Sequence, residues 1–303
     1  MKMKSKFLMA TAAIAMMAAP ALAQEKLKIG MTFQELNNPY FVSMQEALKE
    51  AAASIGADVV VTDAGHDVAK QISDVEDMLQ QKIDILLLNP TDSAGIEAAV
   101  HAAKAAGVIV VAVDANANGP VDTFVGSKNR DAGYKSCKHL GDALGGKGEV
   151  AILDGIPVVP ILQRVEGCKA ALAEFADIKL VDTQNGRQDR SVALGVVENM
   201  IQSRPNLAGI FSVNDGGAMG ALAAIQGSGK DIKLTSVDGA PEAVKAIADG
   251  GPFIETTAQF PRDQVRVGLA MALAQKWGAR VVPKEVPIDV MVVDSKNAGE
   301  FSW

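Results

Sequence analysis

The sequence predicts an α/β protein built as two doubly wound parallel-sheet lobes joined by a multi-strand hinge. Three observations point there. Strand-like and helix-like patterns alternate along the whole of a 303-residue chain, which is more than one core usually holds. The strand runs are continuous Val, Ile and Leu, as in 108–113, the mark of strands covered on both faces. The alternation also restarts midway, so two comparable halves follow one another. Several of these runs stop at a polar side chain, such as Asp114 after 108–113 and Asp238-Gly239 after 232–237. In an open α/β sheet the crevice outside the carboxyl ends of the strands is where a ligand sits.

In the first half, strand 26–32 leads through Asn37-Asn38-Pro39-Tyr40-Phe41 into helix 39–54. Strand 57–62, helix 68–80, strand 83–88, helix 93–106 and strand 108–113 follow. After 123–126 the pattern restarts with helix 131–144, strand 149–153, helix 163–175, strand 179–182, helix 191–203 and strand 209–213. Helix 218–227, strand 232–237, helix 241–249 and strand 253–258 complete that half. Pro39, Pro90 and Pro241 are placed at helix starts, where the missing amide hydrogen costs nothing. Gly56, Gly107, Gly145 and Gly227 are placed at helix ends, where a left-handed cap favours glycine. Helix 262–277 and the run 286–293 have no neighbours of their own and are expected to return and complete the two sheets. The lobes are then 24–127 with 260–288, and 128–259 with 289–303, and the crossings between them make a hinge.

The amino terminus reads as a secretory leader over 1–23: Lys2, Lys4 and Lys6, an apolar stretch over 7–19, then Ala21-Leu22-Ala23 before Gln24. That stretch is too short to span a bilayer, and no cysteine near the cleavage site offers a lipid anchor. A soluble periplasmic protein is expected. The net charge of −7 becomes more negative once the leader lysines are removed, which argues against nucleic acid or anionic lipid as partner. Cys137 and Cys168 are the only cysteines, on helices flanking strand 149–153; a disulfide and a pair of buried free thiols are both open. His66, His101 and His139 lack metal-ligand spacing, and no cofactor is expected. Gly145-Gly146-Lys147-Gly148 lacks the phosphate-loop spacing and precedes a strand, so it reads as a turn.

Asn37-Asn38-Pro39-Tyr40-Phe41, Asn89-Pro90-Thr91-Asp92-Ser93, Asn214-Asp215 and Asp238-Gly239 occur in the order found in periplasmic sugar-binding proteins of ABC transporters, of the ribose and inositol type. The chain resembles that family over essentially all of 24–293. The resemblance implies the type I periplasmic binding protein fold, a monomer, a small ring gripped between two lobes, and delivery to an ABC permease in the inner membrane. A chemoreceptor or sensor kinase is the alternative partner. It also implies that Asn38, Tyr40, Phe41, Asn89, Asp114 and Ser127 serve from the first lobe and its hinge. Arg164, Asn214, Asp238 and Gln259 would serve from the second, where Gln188 stands in place of an aromatic residue.

Such residue types suit the task. Planar amides, carboxylates and guanidinium groups meet neighbouring hydroxyls in pairs, and aromatic rings cover C–H faces. Ribose binders carry arginine directly after the aspartate that corresponds to Asp114; here the residue is Ala115. With Glu35 and Asp215 near the site and Arg164 its one arginine, the pocket leans toward a neutral or cationic ligand, since an unpaired buried charge is costly. A cyclitol such as inositol, or an amino-cyclitol of the rhizopine kind, is preferred over an aldopentose. The plainer role for any single Asn or Asp after a strand is to cap the next helix. A secreted carbohydrate hydrolase is the rival class, because two carboxylates can cleave a glycoside. The chain has no Gly-x-Ser-x-Gly elbow and Ser127 has no evident base, so no catalytic residue is assigned and the protein is not expected to be an enzyme.

Overall fold

A computed structural model describes residues 26–303. The expected leader at 1–23 lies outside the described residues. The alternation resolves into two six-stranded sheets, each covered by helices on both faces. The first half contains β1 (Lys28–Phe33), α1 (Pro39–Ser54), β2 (Asp58–Asp63), α2 (Val68–Gln80), β3 (Ile85–Leu88), α3 (Glu97–Ala105), β4 (Ile109–Val113) and β5 (Thr123–Ser127). The second contains α4 (Asn129–Ala143), β6 (Lys147–Asp154), α5 (Val159–Leu172), β7 (Asp177–Asn185), α6 (Arg190–Ser203) and β8 (Leu207–Ser212). It continues with α7 (Asp215–Ser228), β9 (Lys233–Asp238), α8 (Pro241–Asp249) and β10 (Phe253–Ala258); α9 (Pro261–Lys276), β11 (Glu285–Ile288) and β12 (Met291–Asp294) follow.

Strand order is β11-β5-β4-β3-β1-β2 in one sheet and β12-β10-β9-β8-β6-β7 in the other. All pairings are parallel except that of β12 with β10. The chain therefore passes between the lobes after β5, after β10 and between β11 and β12, and α9 packs on the first lobe beside Val111, Val113 and Val125. The return of the late segment to both sheets, expected from its lack of neighbours, is what the strand order contains.

Several local expectations shift. Pro90 opens no helix: Asp92 accepts from the amides of Ala94 and Gly95, making a turn, and α3 begins only at Glu97. Gly227 is not a left-handed cap, because α7 runs one residue further and Gly229, with φ 65°, ends it. α7 also begins earlier than expected. Asn214 caps it by accepting from the Gly217 amide, so the glycine pair 216–217 lies inside the first turn. α5 starts at Val159 with Pro160 in its first turn. No helix among the described residues is long and apolar enough to cross a membrane.

Candidate functional site

On the first lobe, the end of β1 turns through Gln34 and Glu35 to Asn38, which caps α1 by accepting from the Tyr40 amide at 3.0 Å. That cap fixes the first turn of α1 so that Tyr40 and Phe41 are buried edge to face, centroids 5.2 Å apart, while still lining the cleft. The Tyr40 hydroxyl donates to Asp114 Oδ1 at 3.1 Å and accepts from Gln264 Nε2 at 2.8 Å; the same nitrogen reaches Ser127 Oγ at 2.7 Å. Asp114 follows β4 with φ 69°, a left-handed conformation that a residue with a side chain seldom takes and that the surrounding structure must hold. Its second oxygen accepts from Asn89 Nδ2 at 3.3 Å, and Asn89 Oδ1 accepts from the Gln34 amide at 3.1 Å. Burial pushes the Asp114 carboxyl up to about 6, against the pull of Arg164 and of the Tyr40 hydrogen bond. Burial, and then the Asp114 charge, hold Tyr40 well above the usual phenol range, so it remains a donor.

On the second lobe, two glycines set the site. A Cβ on Gly133 of α4 would stand 1.9 Å from the Arg164 carbonyl oxygen, and one on Gly167 of α5 would stand 1.9 Å from that of Arg130. Only glycine lets these helices approach so closely, and the Cys137–Cys168 disulfide joins the same pair with Cα atoms 4.9 Å apart. The approach brings Arg164, 4% exposed, to the strand ends. There its Nε donates to Asn129 Oδ1 at 2.9 Å, and its Nη1 to the Val213 carbonyl at 2.8 Å and to Asp238 Oδ1 at 3.2 Å. Asp238, with φ 140°, also accepts from Gln259 Nε2 at 2.8 Å and from the Asp215 amide at 3.3 Å. Burial raises its carboxyl, opposed by Arg164 and Gln259. Behind it, Asp215 accepts from the Ser236 hydroxyl, from Thr256 Oγ1 at 2.8 Å and from the Ala240 amide at 2.6 Å. Burial, then the adjacent Asp238 charge, push Asp215 up to about 7.

Gln188 sits in a strained turn: it and Arg187 have φ of 58° and 54°, and Gln188 Oε1 accepts from the Ile156 amide at 3.3 Å. Ile156, Val158, Pro160 and Ile161 add an apolar wall on this side.

The structure thus gathers Asn38, Tyr40, Phe41, Asp114, Arg164, Gln188, Asn214, Asp238 and Gln259 around one cleft between the lobes, with Glu35 and Ala115 among them. Asn89 and Ser127 are not in its lining; they stand behind, Asn89 holding Asp114 and Ser127 holding Gln264. The plain capping role and the cleft position coincide at Asn38 and Asn214, each of which spends its side-chain oxygen on a helix start. Sequence reasoning missed Gln264, Gln34, the apolar wall and Trp303, whose Nε1 donates to the Asp238 carbonyl at 3.1 Å. No cluster suited to a metal ion occurs among the described residues.

The periplasmic binding protein domain family profile matches residues 29–279. The chain is 41% identical over 241 residues to the ribose import binding protein of Bacillus subtilis, covering 78% of each chain. An ABC transporter solute-binding protein from Actinobacillus succinogenes with bound D-allose superposes with a TM-score of 0.86 at 31% identity, over 91% of this chain and 100% of that one. The myo-inositol-binding protein of Caulobacter, bound to myo-inositol, gives 0.84 at 29% identity, over 91% of this chain and 96% of that one. These relatives bind solutes and are not enzymes.

Proposed function

The chain belongs to the periplasmic binding protein domain family, and on that premise we propose that it captures a small polyhydroxylated ring in the periplasm and delivers it to an ABC importer. Ribose, D-allose and myo-inositol, the solutes of its relatives, share a run of adjacent hydroxyls. A ligand touching both lobes favours the closed hinge by its differential affinity for that state. The membrane permease then receives the closed pair of lobes.

Within that class the cleft favours a cyclitol, such as inositol or an amino-cyclitol of the rhizopine kind, over an aldopentose. The observation that carries this is the charge balance. Two buried aspartates, Asp114 and Asp238, line the cleft with Arg164 as the one buried cation among the described residues there, and Arg164 is already engaged with Asp238, Asn129 and Val213. Asp114 is left with neutral donors, Tyr40 and Asn89, so it is free to accept from a ligand hydroxyl or ammonium group. Isothermal calorimetry with D-ribose, myo-inositol and an amino-inositol tests the assignment. Tighter binding of a cyclitol is expected; tight ribose binding with no response to either cyclitol overturns it.

A further inference from the structure

After β12 the chain returns to the cleft and touches both lobes within three residues. Phe301 packs with the core of the second lobe, its ring 6.3 Å from that of Phe260. Trp303 packs with the core of the first. There the indole ring stands edge-on to Tyr40, centroids 5.7 Å apart at 83°, while its Nε1 donates to the backbone carbonyl of Asp238 at 3.1 Å. One side chain therefore holds a tyrosine of the first lobe, the one that donates to Asp114, and the main chain of the second lobe's aspartate. Trp303 also forms part of a lateral groove with Pro39, Met219 and Pro241, and that groove shares Asn38, Asn214 and Asp238 with the sugar cleft.

We propose that Trp303 is a positioning residue that latches the two lobes and closes this side of the cleft. Its two contacts lie on opposite sides of the hinge, so a rotation that separates Tyr40 from Asp238 must break one of them. The latch favours the closed arrangement, orients the Tyr40 hydroxyl, and slows escape of a bound ring. It rests on the hinge-closure reading above.

The test compares Trp303→Ala and Trp303→Phe with the parent chain. Dissociation of radiolabelled D-ribose, D-allose and myo-inositol is measured by chase with unlabelled solute, and small-angle scattering is collected on each protein without solute. Trp303→Ala is expected to raise the dissociation rate about tenfold, equivalent to about 1.4 kcal/mol, with little change in association, and to enlarge the sugar-free particle. Trp303→Phe keeps a ring against Tyr40 but loses the indole donor, and is expected to fall between. Unchanged dissociation rates and unchanged particle dimensions in both variants overturn the latch. A lowered melting temperature alone does the same, because it marks Trp303 as packing and no more. If none of the three solutes binds the parent, the ribose, allose and myo-inositol assignments have failed, and the scattering comparison still decides the latch.

Discussion

The two lobes repeat one plan and differ in how they treat its central charge. β4 and β9 occupy the same place in their sheets, and each leads to an aspartate with positive φ, Asp114 at 69° and Asp238 at 140°. Each is buried, and burial raises both carboxyls. In the second lobe the charge is answered internally, by Arg164 with Gln259 and the Asp215 amide around it. In the first lobe a phenol and an amide answer it by hydrogen bonds, and Arg164 acts on it only through its field, with no hydrogen bond. On the proposed function the two have separate duties: Asp238 is tied into an ion network of its own lobe, whereas Asp114 would accept from the ligand.

Removing Arg164 is the severest way to break this contrast. Arg164→Met leaves Asp238 beside Asp215 with no cation, and loss of one partner of a buried ion pair costs about 3–5 kcal/mol. Urea unfolding is expected to move by that amount at neutral pH, together with loss of sugar binding. Weakened binding at unchanged stability would make Arg164 a ligand contact only, and the lobes would then be electrostatically alike.

Asp114→Asn probes the other side. Sugar affinity is expected to weaken by about 1.5–3 kcal/mol, the scale of a hydrogen bond to a charged group, as read by calorimetry. Unfolding stability at pH 7 is expected to hold or rise, because the asparagine removes a buried charge whose burial outweighs the pull of Arg164 and the Tyr40 hydrogen bond. With its carboxyl raised to about 6, Asp114 binds a proton as pH falls through that value. Affinity of the parent should decline below pH 6, and the variant should lose that dependence. Equal losses of stability from Arg164→Met and Asp114→Asn would erase the distinction.

Much of this plan is legible in sequence because it is local. A strand of continuous Val and Ile declares its burial, and the polar residue that ends it must sit at the sheet's carboxyl edge, so Asp114, Asn214 and Asp238 could be placed without coordinates. What escaped depends on distant parts of the chain. Asn89 and Asp114 share the same strand-end signature, yet register turns Asn89 behind the lining, where Gln34 and Asp114 claim it. Trp303 meets Tyr40 and Asp238 only through the return of the late segment to both lobes, and no period or motif announces that contact. Gly133 and Gly167 did leave a signal, small residues on two helices that also carry the cysteines, but their effect on Arg164 appears only when those helices are packed.

The contrast extends one strand further, where an isosteric substitution tests it by its pH slope. β10 buries Glu255, 0% exposed, against Ser136 Oγ at 2.8 Å and Thr257 Oγ1 at 2.6 Å; β5, its counterpart in the first sheet, carries no carboxylate. Burial outweighs these hydrogen bonds and pushes Glu255 up to about 8, with Asp215 and Asp294 adding to the rise. Its folded value lies above the ordinary 4.5, so the native state keeps a proton that the unfolded chain gives up. The resulting stability is fully present below about pH 4.5 and is lost as pH rises through about 8. Asp215, at about 7, acts in the same direction over a shorter span. Glu255→Gln keeps the shape and removes the titration, so thermal stability should fall less steeply with pH than in the parent. The slope should be reduced by up to about 1.4 kcal/mol per pH unit between pH 5 and 8. Parallel pH profiles for parent and variant would place the pH sensitivity outside β10, and Asp215, raised to about 7, would become its main source, ahead of Asp114 at about 6.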